Sequence, residues 1–213
     1  MVVFLHGLWL HGRESLLLCR RLQRALGFDV QVFHYPSVSA SMAEVTERLQ
    51  AFIAAQAPAE LHLVGHSLGG LVAYRFLERF PAQPPGRVVF LGTPAVASRA
   101  ATEVGRARWA RALLGRCIAE ELLTERRREW SGARNLGIIA GTRAVGLGKL
   151  VVRFNEPNDG SVAVSETRLP GATDHITLPV SHFGMLLSAR VARETGAFLA
   201  YGHFVLDCAH RRS

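Results

Sequence analysis

Short apolar, β-rich runs alternate with stretches of helical periodicity along nearly the whole chain, and this alternation limits the fold more than any other feature. "VVFL" (2–5) precedes "ESLLLCRRLQRAL" (14–26), whose leucines recur at helical spacing until Gly27 ends the run. "VQVFHY" (30–35) is the next β run. Ser41 then reads as an N-cap, with Glu44 completing a capping box for a helix to about Ala57. "LHLV" (61–64), "RVVFL" (87–91), "LGIIAG" (136–141) and "HITLPV" (175–180) are further strands, with helices expected over 70–80 and 184–202. Six short strands separated by helices predict an α/β fold: a doubly wound, mostly parallel sheet with helices on both faces. Such a sheet carries its working loops at the carboxyl ends of its strands.

Residues 95–134 break the alternation, and are expected to form a small helical cap or lid within a single domain spanning 1–213. The basic residues of the whole chain concentrate here: of 25, 24 are arginine, and ten of those fall between Arg99 and Arg143, within a net charge of +8. Such a segment reads as a solvated helix face, or as a peripheral contact with anionic membrane. No helix-turn-helix, zinc-finger or RNP-type pattern accompanies the charge, so nucleic acid is not an expected partner. Cys19, Cys117 and Cys208 are odd in number and widely spaced, which fits neither a disulfide framework nor a zinc site. No leader-like segment opens the chain, and no uncharged apolar run reaches the roughly 18–20 residues of a membrane span, so a cytoplasmic address is expected.

The most specific chemistry lies at "VGHSLGGLV" (64–72). Gly65-His66-Ser67-Leu68-Gly69 fits G-x-S-x-G, with an apolar strand before it and an amphipathic helix after it, the context this pattern requires. A serine on so sharp a turn is lifted above the sheet. The strand and helix then cross so closely that side chains at positions 65 and 69 would clash. A glycine-rich phosphate loop is the competing reading, but no Walker lysine follows, and "GLGKL" (146–150) has Leu150 where a hydroxyl residue would be needed.

A serine nucleophile needs a base and an acid, which follow it in the order Asp or Glu, then His. Of four aspartates, Asp29 precedes the serine and Asp207 lies near the end. Asp159, in the turn-rich "EPNDGSVAV", is preferred over Asp174, which abuts the amino end of a strand. His182 follows that strand at its carboxyl end and is preferred over His175, His203 and His210. Catalytic roles are therefore expected for Ser67, Asp159 and His182. Oxyanion donors are expected from the N–H groups of Leu68, at a helix N-terminus, and Leu8, in the loop after the first strand. Gly65, Gly69, His6, Gly7 and His66 are expected to support the elbow and the loop, with His66 also a candidate substrate wall. Trp9 and Leu10 would line an acyl pocket or pack in the core.

These residues resemble the α/β-hydrolase superfamily, and within it the bacterial lipase and esterase group with an HG loop, a GHSLGG elbow and an NDG acid loop. "VVFLHGLW", "LHLVGHSLGG", "FLGTP", "PNDGSVAV" and "SHFGML" occur in the expected order. The resemblance implies hydrolysis of an ester or thioester of a small molecule or lipid through an acyl-enzyme, which needs no cofactor. A structural calcium near the acid loop occurs in some relatives, but no cluster of carboxylates is seen here to hold one, so no metal is expected. Against that family, the sequence opens at the strand that carries the HG loop, and the cap is expected to be short. Acyl transfer, thioester hydrolysis or lipid deacylation with the same triad, and a non-catalytic binding module, are the alternatives.

Overall fold

The four inner strands of the sheet carry apolar residues on both faces, and successive residues feed two separate cores. In β1 (Val2–Leu5), Val3 and Leu5 enter one cluster while Val2 and Phe4 enter the other. The same division holds for Leu63 against Val64 in β3 (His62–His66), and for Val88 and Phe90 against Val89 and Leu91 in β4 (Val88–Leu91). The period-2 geometry of a strand imposes this split, and it needs a helical layer on each side. The computed structural model of the 213-residue chain describes residues 1–10, 12–95, 128–132, 134–145 and 156–205.

Together with β2 (Val30–Phe33), β5 (Leu136–Gly141) and β6 (Asp174–Leu178), these strands form one six-stranded sheet in the order β2-β1-β3-β4-β5-β6. All five pairings are parallel. Helix α1 (Leu16–Leu26) contributes Leu18 and Leu22 to the core that holds Val2 and Phe4. α2 (Met42–Gln56) and α3 (Leu68–Arg79) cover the opposite face with Val45, Leu49, Val72 and Phe76. The expected doubly wound α/β sheet is the observed one.

Several boundaries differ from expectation for local reasons. The helix expected from Glu14 opens with a 3₁₀ turn, Arg13–Ser15, and becomes α-helical at Leu16. α3 starts at Leu68 rather than Gly70, directly after the serine. A one-turn helix α4 (Val164–Thr167) was not expected, and β6 spans 174–178 rather than 175–180. The helix expected over 184–202 is two, α5 (Gly184–Leu187) and α6 (Ala189–Tyr201). Ser188 breaks it: its backbone is extended and its Oγ caps α6 by accepting from the Val191 N–H at 3.3 Å. The expected capping box of α2 is present, with Ser41 Oγ accepting from Glu44 N–H at 3.2 Å and the Glu44 carboxylate from Ser41 N–H at 2.7 Å.

Residues 96–127, which hold most of the expected cap and most of its arginines, lie outside the described residues, as do Cys117, Cys208 and residues 146–155. Cys19 is buried, and burial raises its thiol pKa. Among the described residues no helix is long and apolar enough to cross a membrane.

Candidate active site

From β1 the chain crosses to β2 at the sheet edge, then returns over β1 to β3 and proceeds the other way through β4, β5 and β6. The order therefore reverses between β1 and β3, the position at which open parallel sheets bind ligands beyond their carboxyl ends. Ser67 leaves β3 at that point. Its backbone stands at φ 54°, ψ −120°, a conformation open to few non-glycine residues and costing on the order of 1–3 kcal/mol. Its N–H is fixed to Leu91 O at 2.9 Å.

The two flanking glycines make this corner possible. A Cβ added at Gly65 would collide with the Gly70 backbone, and one at Gly69 with the Leu5 carbonyl. α3 thus starts against β1 and β3 with no side chain between. Leu68 is the first residue of α3, where backbone N–H groups have no intrahelical acceptor. From the neighbouring strand, Gly7 approaches so closely that a Cβ there would sit 3.2 Å from Ser67 Cβ. Leu8 follows in a turn closed by Leu10 N–H to Gly7 O at 3.4 Å.

Asp159 and His182 come from the loops after β5 and β6. His182 Nδ1 lies 2.6 Å from Asp159 Oδ2, and His182 N–H donates to Asp159 O at 2.9 Å. The carboxylate is buried, and Oδ1 accepts from the Ser161 and Val162 N–H groups at 2.9 and 2.8 Å. One carboxylate oxygen is thereby held by backbone and the other left to the imidazole. Facing a carboxylate, Nδ1 carries the proton, so Nε2 presents a lone pair.

Gly92, at the end of β4, leaves room for this pair: a Cβ there would lie 2.9 Å from Asp159 Oδ2 and 3.0 Å from His182 Nδ1. Sequence reasoning gave Gly92 no role. Its signal was a glycine ending a strand in "FLGTP", and here its φ is 55°.

The remaining histidines sort by burial. His6 stacks on Tyr35 at 4.2 Å, its carbonyl accepts from the Tyr35 hydroxyl at 2.5 Å, and its Nδ1 is 2.9 Å from Gly7 O, so it ties the β1 loop to the β2 loop. His66 is buried, with Nε2 at 3.0 Å from His182 O and its ring 4.7 Å from the His182 ring. Facing a carbonyl, Nε2 is the protonated nitrogen. Of its two expected roles burial leaves support, not a substrate wall. Burial first, and the adjacent His182 second, hold its pKa down to about 3. His175 pairs its Nε2 with Thr167 Oγ1 at 2.9 Å, away from this group, and burial holds its pKa down to about 4. Asp174 accepts from Phe204 N–H at 3.1 Å. Trp9 is 58% exposed, which excludes core packing, whereas Leu10 is partly buried against the core. A cavity of about 380 Å³ lined by Tyr74, Glu78, Glu129 and Trp130 has none of the expected site residues in its wall.

The model of a family described as "Alpha/beta hydrolase family" matches residues 2–207. No curated protein matches the chain significantly. Among solved structures the chain is similar to a Bacillus licheniformis lipase, BlEst2, in its mature form, at 20% identity over 95% of this chain and 91% of that one, with a TM-score of 0.74. It is also similar to a pyrethroid hydrolase from Sphingobium faniae JZ-2, at 14% identity over 94% and 97% of the two chains, with a TM-score of 0.61. A third similar structure is the RedJ thioesterase of prodiginine biosynthesis in Streptomyces coelicolor, at 17% identity over 93% and 88%, with a TM-score of 0.55. At these identities the structural likeness speaks for the fold, and the family match covers nearly the whole sequence. The chain belongs to the alpha/beta hydrolase family.

Proposed function

We propose that the protein is a serine hydrolase of carboxylic esters, acting through Ser67, His182 and Asp159 by way of an acyl-enzyme. The observation that carries this reading is the 2.6 Å contact of His182 Nδ1 with a buried carboxylate whose other oxygen is fixed by two backbone N–H groups. That arrangement sets the tautomer a general base needs, on the same sheet edge as a strained serine at a helix N-terminus.

In this mechanism His182 Nε2 takes the Ser67 hydroxyl proton as Oγ bonds to the ester carbonyl carbon. The electron pair of the C=O bond moves onto oxygen, and the Leu8 and Leu68 N–H groups donate to that oxyanion. Collapse re-forms C=O and breaks the bond to the alcohol oxygen, which receives the proton from His182. Water then repeats the sequence and releases the acid. Asp159 stabilises the imidazolium in both halves. Each oxyanion donor contributes on the order of 10²–10³ in turnover.

Hydrolysis of short p-nitrophenyl esters tests the reading. The wild-type protein is expected to turn them over, and Ser67→Ala to lose that activity while keeping its melting temperature. Retained turnover in a folded Ser67→Ala variant would remove Ser67 from the role.

A further inference from the structure

The second non-glycine residue of this region with a strained backbone is Trp9. Its φ is 58°, and Leu10 N–H closes the turn onto Gly7 O, which puts Trp9 at the third turn position, where a type II turn demands positive φ and favours glycine. A bulky residue at such a position is an outlier. Glycine would adopt this conformation at no steric cost.

The surroundings show what the strain accomplishes. Leu8 packs against the core on one face of the sheet and Leu10 against the core on the other. The Trp9 N–H donates to Ser37 Oγ at 3.2 Å, which fixes the turn to the loop after β2. With both neighbours anchored and its own backbone held, the indole stands outward with 58% of its surface exposed. An indole is large and apolar, and a folded chain gains nothing by holding one in water. The turn begins at Gly7, against Ser67. Two more exposed apolar side chains leave the same sheet edge: Val38 beside Ser37, and Phe183 directly after His182.

We infer that Trp9 is a specificity-determining residue: its indole forms the apolar wall against which the hydrocarbon part of the substrate lies when the reacting carbonyl is at Ser67. The substrate class this selects is esters with an extended alkyl or aryl group, in preference to small polar esters. The inference rests on the proposed role of Ser67.

Labelling by two alkyl fluorophosphonates, ethyl and octyl, tests it without relying on turnover. The wild-type protein is expected to react faster with the octyl probe. Trp9→Gly and Trp9→Ala are each expected to lower the octyl-to-ethyl ratio of labelling rates by roughly tenfold, the scale on which apolar pocket contacts discriminate. Trp9→Phe is expected to recover most of it. Trp9→Gly relieves the strained φ and is expected not to lower the melting temperature. An unchanged ratio in Trp9→Gly and Trp9→Ala, with labelling intact, overturns the inference and leaves the reading of Ser67 standing. A melting temperature several degrees lower in Trp9→Gly also overturns it, since the indole would then be a packing residue. Absence of labelling in the wild-type protein removes the Ser67 reading, and this inference with it.

Discussion

At the residue scale the behaviour of the site turns on Asp159. Its Oδ1 is occupied by the Ser161 and Val162 N–H groups, and its Oδ2 faces His182 Nδ1. Asp159→Asn keeps the size of the side chain and can keep the backbone acceptor, but then turns an amide donor toward an imidazole N–H. The imidazole must adopt the other tautomer and loses its free lone pair at Nε2. The expected result is a fall in kcat on the order of 10⁴-fold, as for a comparable triad substitution, with little change in melting temperature. A kcat within tenfold of wild type would show that Asp159 does not set the tautomer. Much of this candidate site is legible in the sequence: Ser67 from its pentapeptide, and the pairing of Asp159 with His182 because few aspartates and histidines lie at the carboxyl ends of strands. Gly92, and the support His66 gives to the His182 carbonyl, are not legible. Each exists only because loops from different strands approach within hydrogen-bond distance, and no local pattern encodes such an approach.

At the element scale, the corner between β3 and α3 depends on backbone touching backbone. Gly69→Ala would drive a methyl group into the Leu5 carbonyl, an overpacking with no flexible side chain able to yield. A loss of about 3 kcal/mol is expected, the upper part of the usual range for overpacking. Thermal unfolding of a chain this long would then shift down by roughly 6–12 °C; an unshifted transition would mean that the two elements are not packed this closely. By contrast, Ser41→Ala removes the capping box of α2 and none of the hydrogen bonds around Asp159 and His182. About 1 kcal/mol of stability is expected to be lost, with the proposed ester hydrolysis unchanged. The S-x-x-E pattern made that cap readable in advance. The break at Ser188 was not readable, because "GMLLSARVARE" has helical periodicity on both sides of the serine and the same residue could have continued the helix.

At the scale of the whole molecule, the parallel sheet follows from the alternation of β runs and helices, but the strand order does not. Apolar strands of similar length, such as "VVFL" at 2–5 and at 88–91, are interchangeable on sequence alone. Their order, with its reversal between β1 and β3, comes from the crossovers, and it brings the loops bearing Ser67 and Gly7 side by side.

The fold also buries His66 and partly buries His175 as neutral rings, with pKa values held down to about 3 and about 4 by loss of solvation. In the unfolded chain each binds a proton near the ordinary histidine value of about 6.5. Below that value the unfolded state holds more protons than the native one, so stability falls as pH falls, by up to about 1.4 kcal/mol per pH unit for each ring, until the native pKa is reached. Urea unfolding at pH 7.5, 6 and 5 should show this loss, and His175→Gln should lessen it. A stability that does not change over that interval would mean that these rings are not buried neutral.

The proposed mechanism requires that Ser67 become acylated. Mixing the protein with p-nitrophenyl acetate, quenching in acid and mapping the peptides by mass spectrometry addresses it directly. An acetyl group on the peptide containing Ser67, present in the wild-type protein and missing in Ser67→Ala, is the predicted result; turnover accompanied by an acetyl group on another residue, or by none at any time point, would contradict it.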